Sequence, residues 1–210
     1  MLADGIFAIV MTLLVFEIKV PSIMFASDES VIRILKDSYP LFLSYLLSFA
    51  TLFTYWRGYH AIASDFVKTY NHNFENLSAG FLFFVALVPF TSHLLGVYSR
   101  VPVSVIVFAL NIFIIGVMLF FMREYAHNSK EIRNKKQSGA ERRHAHMRIN
   151  IPIIFSIVSM PLAFINTEFA LTVLTIAIIF NLFKKSTRAL EKIIEPISGT
   201  EEVIIKKKKK

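Results

Sequence analysis

The N-terminal stretch contains the residues whose types and spacing are most distinctive. Apart from Thr12, the chain is apolar from position 5 to position 16. On a helix, Ile9, Leu13 and Phe16 fall at i, i+4 and i+7 and therefore share one face, with Thr12 beside them. A ring of such side chains around a narrow axis excludes water and can gate an ion pathway by dewetting. Ordinary helix packing uses the same pattern, so the spacing alone leaves both interpretations open.

Polar side chains flank this face, and each has more than one interpretation. The Thr12 hydroxyl either faces a partly dehydrated cation or bonds to a carbonyl of the preceding turn. Asp4 lies at the helix start, where the dipole favours a carboxylate, so capping alone explains it. Glu17, Asp28 and Glu29 would lie at an external mouth, where acidic groups concentrate cations. Solvated loop charge is the favoured explanation for the last two.

What the chain lacks excludes several classes of function. It has no cysteine, so disulfides, thiolate nucleophiles and cysteine metal sites are impossible. It has no nucleotide-binding Gly-rich loop, HExxH or GxSxG motif, so we expect no enzyme and no cofactor. No Thr-Val-Gly-Tyr-Gly filter of conventional potassium channels is present. His144 and His146 are a weak metal signal beside repelling arginines, and His93 is either proton-linked or an ordinary interhelical histidine.

The elements that position these residues are predicted to be membrane helices. The chain has 210 residues, of which 55% are hydrophobic and 18% are charged, whereas about a quarter of a soluble domain is charged. We therefore predict an all-α, polytopic membrane protein with six transmembrane helices in a domain at 1–186, followed by a charged cytoplasmic tail at 187–210. We also predict a short amphipathic helix near 29–38 and a kink at Pro89. The six spans are 2–20, 40–56, 77–99, 101–122, 149–167 and 169–183.

The distribution of basic residues predicts the orientation in the membrane. Of the 23 Lys and Arg residues, only Lys19, Arg33, Lys36 and Arg100 fall on one side of the six-span topology. The positive-inside rule therefore predicts that the other side, with both termini, faces the cytoplasm and that the protein lies in the cell membrane. The net charge of +8 is then a topology signal with some attraction to anionic lipid, and we expect no nucleic-acid partner.

Two runs in the N-terminal stretch carry a family resemblance: Asp4-Gly-Ile-Phe-Ala-Ile9 and Thr12-Leu-Leu-Val-Phe-Glu17-Ile18. They resemble the first helix of the prokaryotic TMEM175 family of potassium channels, although Leu2 and Ala3 occupy the positions of the family's Phe-Ser. The resemblance implies a six-helix subunit, four of which form a homotetramer in the lipid bilayer. It also implies a potassium pore that is lined by helix one and has no carbonyl-lined filter.

The resemblance assigns roles to particular side chains. Ile9 corresponds to the narrowest ring of the pore, Leu13 to a second ring, and Phe16 to a position where the family often has leucine. Thr12 is then a polar residue of the pore lining. A structural polar network at the cytoplasmic end of helix one is implied for four further residues, which are Asp4, Trp56, His60 and Asn76.

Other functions remain open from the sequence. A proton-permeable or weakly selective cation channel keeps the pore but changes the ion. A secondary transporter would often show inverted repeats and a midplane carboxylate, and neither is visible in segments two to six. A membrane scaffold without transport is a third alternative. Within the channel hypothesis, potassium is favoured over sodium because it sheds its hydration more easily.

Overall fold

The computed structural model describes residues 2–19, 21, 27–66, 71–129 and 139–182, without the side chains of 65, 66 and 139–148. Every regular element within these residues is helical. A 3₁₀ turn, Leu14–Glu17, follows the first helix, and a π-helical turn, Ile62–Phe66, follows the third. The eight α-helices are α1 Leu2–Leu13, α2 Asp28–Asp37, α3 Tyr39–Ala61, α4 His72–Ala86, α5 Val88–Val97, α6 Pro102–Asn128, α7 Gly139–Ile165 and α8 Thr167–Leu182.

The helices lie where the apolar blocks of the sequence predict them. The short amphipathic helix before the second block is confirmed as α2, and the Ser27 side chain caps it by accepting a hydrogen bond from the Ser30 amide. Helix α7 begins at Gly139, about ten residues before the predicted span, within the basic stretch. The predicted tail at 187–210 lies outside the described residues.

Prolines and an asparagine set the boundaries between neighbouring helices. The predicted kink at Pro89 is confirmed as an interruption at Leu87, which separates α4 from α5. The backbone nitrogen of Pro89 has no hydrogen to donate to a carbonyl of the preceding turn, so the helical hydrogen bonding is interrupted just before this residue. Between α7 and α8 lies only Asn166, whose side-chain oxygen accepts a hydrogen bond from the Phe169 amide at 3.0 Å. These two helices therefore fold back and pack on each other.

Helix α6 forms the centre of the bundle. It contacts α3, α4, α5, α7 and α8, and its side chains from Val105 to Met122 supply much of the core. Gly116 allows close approach, because a Cβ there would lie 2.6 Å from Ile153 of α7. The Tyr55 hydroxyl of α3 donates to the Ile112 carbonyl at 2.8 Å. Small residues and interhelical hydrogen bonds are typical of helices packed within membranes.

The outer surface of the bundle is rich in large apolar side chains. Phe83, Phe90, Phe121, Phe164 and Ile165 are each more than half exposed, and such a surface requires a lipid or protein partner. In the described part of the chain, two helical stretches are long and apolar enough to cross a bilayer, α4 together with α5 at 72–97 and α6 at 102–128. The apolar helices 149–165 and 167–182 are shorter. Six spans per subunit therefore remains a prediction.

Candidate functional site

Helix α1 has one covered face and one uncovered face. Ala3, Phe7, Val10 and Leu14 are at most 4% exposed, and their spacing of i, i+4, i+7 and i+11 follows one side of a helix. On the opposite side, Ile9, Leu13 and Phe16 are 59%, 43% and 70% exposed. Among the residues that the structure describes, none covers the apolar face that the sequence singled out.

The covered face of α1 is fixed by aromatic side chains of two neighbouring helices. The Phe7 ring lies 6.0 Å from the Phe81 ring of α4, and the Phe81 ring stacks on Tyr59 of α3 at 5.5 Å. Aromatic pairs at these distances add to the packing energy. Helix α1 also contacts α5. These contacts set the rotation of α1 about its axis, and they direct Ile9 and Leu13 away from the subunit core.

Thr12 lies on the uncovered side of α1. Its hydroxyl lies 3.0 Å from the Ala8 carbonyl and 2.8 Å from the Ile9 carbonyl, and donates its one proton toward these two acceptors. The structure therefore shows the bond to the preceding turn, which the sequence left as one of two alternatives. A hydroxyl oxygen also has acceptor lone pairs. The second alternative, an oxygen turned toward a cation, is therefore compatible with this bond.

The first turn of α1 is tied to α3 by a polar contact. The Trp56 indole nitrogen donates to the Asp4 carboxylate at 3.1 Å, and the Trp56 ring stacks on His60 at 5.5 Å. The structure therefore brings together three of the four residues expected in the polar network. Asn76 lies exposed on α4, and the contacts described by the structure include none between it and the other three.

The opposite end of α1 meets α5 through a contact that sequence reasoning missed. Glu17 closes the 3₁₀ turn, and its carboxylate oxygen lies 3.0 Å from His93 Nδ1. The angles of this contact fall outside hydrogen-bond geometry, so any attraction depends on a charged His93. Both residues had separate interpretations in the sequence. No local pattern joins them, because their proximity depends on how α5 packs beside α1.

The described side chains form no group of histidines and carboxylates that could hold a metal ion. The side chains of His144 and His146 lie outside that description. What the site offers is an apolar helix face with one hydroxyl, fixed at both ends by contacts to α3 and α5. Such a face can contact another copy of itself, lipid or a dehydrated ion.

Part of the chain is similar to a known family model and to two curated proteins. Residues 1–89 match the family model described as endosomal/lysosomal potassium channel TMEM175. A potassium channel of Chamaesiphon minutus is 37% identical over 108 residues, which is 49% of this chain and 53% of that protein. A potassium channel of a Chryseobacterium species is 30% identical over 104 residues, covering 49% and 50%. The aligned region thus spans about half the length of these curated relatives.

A solved structure extends the similarity to most of the fold. The crystal structure of a lysosomal potassium-selective channel TMEM175 homolog from Chamaesiphon minutus superposes with a TM-score of 0.72 at 26% identity. The match covers 86% of this chain and 92% of the other. This coverage extends beyond residues 1–89, which are the residues that the family model matches. With the N-terminal runs of the sequence, these matches support membership of the prokaryotic TMEM175 family.

Proposed function

We propose that this chain is one subunit of a potassium-selective ion channel, with the pore lined by α1 from four copies. The observation that carries the proposal is the uncovered apolar face of α1, with Ile9, Leu13 and Phe16 exposed while the opposite face is fixed to α3 and α4. The relatives named as potassium channels support the choice of ion. The chain is an integral membrane protein, as its family and its two membrane-length helices indicate.

The proposed basis of selectivity is a ring of isoleucine side chains. Four copies of Ile9 around one axis would form the narrowest ring, and Leu13 would form the next ring about one helical turn further along. Apolar rings exclude bulk water, so an ion that passes sheds part of its hydration shell. Potassium sheds water more easily than sodium and is therefore favoured. Thr12, between these rings in sequence, supplies a hydroxyl oxygen that partly replaces the lost water.

The helical backbone of α1 argues against a carbonyl-lined filter at this position. From Leu2 to Leu13 the chain is α-helical, so its carbonyl groups accept hydrogen bonds along the helix axis. A filter of the conventional kind needs carbonyl oxygens directed at the ion. In this proposal conduction is passive, without an enzymatic step or a bound cofactor. The protein lies in the cell membrane with both termini on the cytoplasmic side, because most of the Lys and Arg residues fall on that side of the predicted topology.

The test is potassium flux into proteoliposomes that contain the purified full chain, with sodium as the competing ion. Ile9→Asn replaces the apolar ring by amide groups and should reduce the preference for potassium over sodium. Ile9→Val keeps an apolar ring and should retain most of that preference. Ile176→Asn is the matched control, because Ile176 of α8 is 56% exposed and Ile9 is 59% exposed. It should leave the preference unchanged, since the described contacts of α8 are with α3, α6 and α7.

The outcomes separate the competing functions. If the wild type conducts with potassium preference and Ile9→Asn changes nothing, the pore does not follow α1 and the proposal is wrong. Proton flux that persists while potassium and sodium pass equally would indicate a weakly selective pathway. Flux that requires the gradient of a second ion would indicate a secondary transporter. A protein that reconstitutes without flux in any gradient would favour a membrane scaffold.

A further inference from the structure

A cleft of about 740 Å³ lies between α3 and α8, on a different part of the bundle from α1. One wall is the first half of α3, from Tyr39 to Ala50, and the other is α8 from Glu168 to Ile179. The described contacts of α8 are with α3, α6 and α7, whereas those of α1 are with α3, α4 and α5. If α1 lines a central pore, this cleft faces the periphery and the surrounding bilayer.

The cleft is polar at one end and apolar at the other. Ser99, Arg100 and Glu168 line one end, while Ala50, Ile178 and Ile179 line the other. From Glu168 to Ile179 along α8 the rise is about 16 Å at about 1.5 Å per residue. The hydrocarbon core of a bilayer is about 30 Å thick, so one leaflet is about 15 Å deep. The cleft therefore has the depth and the polarity gradient of a single lipid leaflet.

The two charged side chains at the polar end lie on well-fixed backbone. Arg100 belongs to the turn between α5 and α6, where the Ser104 hydroxyl lies 2.6 Å from the Tyr98 carbonyl and 2.7 Å from the Val101 carbonyl. Glu168 lies in the first turn of α8. Among the described residues neither Arg100 nor Glu168 has an ion-pair partner, so the positive and the negative charge both remain available to a ligand.

We propose that this cleft binds a phospholipid with an aminoethyl headgroup, phosphatidylethanolamine, from the outer leaflet. Its phosphate contacts Arg100, because guanidinium groups pair well with phosphate oxygens. Its ammonium group contacts Glu168, and one acyl chain lies between α3 and α8. A headgroup that carries both charges matches the two unpaired side chains, whereas an anionic headgroup without an amine leaves Glu168 unpaired and repelled. The inference rests on the proposed membrane placement, and it does not require the chain to conduct.

The experiment measures thermal unfolding of the delipidated full chain in detergent while a single lipid is added. Phosphatidylethanolamine should raise the midpoint in a saturable manner, and phosphatidylglycerol, which lacks the amine, should raise it less. Glycerophosphoethanolamine has the headgroup without acyl chains and should have no effect at equal concentration. Arg100→Gln should raise the phosphatidylethanolamine concentration for half-maximal protection about tenfold, since it removes a charge-assisted contact.

Two further variants make the test specific. Glu168→Gln should abolish the preference for phosphatidylethanolamine over phosphatidylglycerol. The neutral amide no longer attracts the ammonium group of the first lipid and no longer repels the anionic headgroup of the second. Ala50→Phe should weaken protection by both lipids, because it fills the apolar end of the cleft without changing its charges. Arg33→Gln is the matched control, since Arg33 is an exposed cation of α2 outside the cleft, and it should behave as the wild type.

Equal protection by the two lipids in the wild type would overturn the proposal and indicate non-specific lipid contact only. Unchanged lipid dependence in both Arg100→Gln and Glu168→Gln would overturn it as well. A folded Ala50→Phe protein with wild-type lipid dependence would exclude the acyl-chain position. Flux measurements remain independent of these results. If the protein conducts potassium but shows no lipid preference, only the proposed lipid site is refuted. If it shows the lipid preference but no flux, only the proposed channel function is refuted.

Discussion

Gly96 provides a sharp test of how α5 packs against α3. A Cβ atom placed on Gly96 would lie 2.6 Å from Leu41 Cδ2, 2.6 Å from Ser44 Oγ and 3.0 Å from Leu41 Cα. The Leu41 side chain can rotate away, but its Cα cannot, because it belongs to the backbone of α3. The Ser44 hydroxyl is also held, since it donates to the Leu41 carbonyl at 2.9 Å. Gly96→Ala must therefore push α5 away from α3.

The size of the effect follows from two opposing contributions. Overpacking a close contact costs about 1–3 kcal/mol. Replacing a glycine by alanine inside a helix gains about 0.5–1 kcal/mol, and less for Gly96, which is the last residue but one of α5. We therefore expect Gly96→Ala to lower the free energy of unfolding by about 1–2 kcal/mol.

Gly80 of α4 is the matched control for this substitution. A Cβ on Gly80 would lie 3.8 Å from Met118 Sδ and 3.9 Å from Met118 Cε, which are ordinary contact distances. Gly80→Ala should therefore keep the helix gain and raise the free energy of unfolding by about 0.5–1 kcal/mol. Both variants are compared with the wild type by denaturant titration of the detergent-solubilised protein, with helicity followed by circular dichroism.

The contrast between the two glycines decides the result. If Gly96→Ala is as stable as Gly80→Ala, α5 does not approach α3 as closely as the structure describes, and the reasoning is refuted. Gly96→Ala should also lower the free energy of unfolding in a Leu41→Ala background, but by less than it does in the wild type. Leu41→Ala removes the leucine Cδ2 atom but leaves the backbone of α3 only 3.0 Å from the new methyl group.

Two further predictions concern the ends of α1. Trp56→Phe keeps an aromatic ring beside His60 but removes the hydrogen-bond donor to Asp4. The free energy of unfolding should fall by no more than about 1 kcal/mol, because the hydrogen bond is exposed. An unchanged value in denaturant titration would show that this hydrogen bond does not stabilise the fold. Glu17→Gln and His93→Gln should each cost less than about 1 kcal/mol, since both side chains are about one-third exposed. The double variant should cost less than the sum of the two single variants, and strict additivity would show that the two side chains are not coupled.

The sequence by itself determined the helical class and the positions of most helices. Blocks such as 101–122 are too apolar and too long for loops, and the alternation of charged and apolar residues after Ser27 gives α2 its amphipathic pattern. The position of the break before Pro89 also follows from local chemistry, since proline lacks an amide donor. The resemblance to the TMEM175 family is visible in the first eighteen residues, because two short runs there match its pattern.

The tertiary structure decided which face of each apolar helix is covered. Helix α1 is apolar almost all round, so its hydrophobicity gives no direction, and only the packing of Phe7 against Phe81 shows that Ile9 faces outward. The contact between Glu17 and His93 and the cleft between α3 and α8 likewise join residues distant in sequence. Local propensity acts between neighbours along the chain, whereas these contacts arise from how whole helices pack, which no single segment encodes.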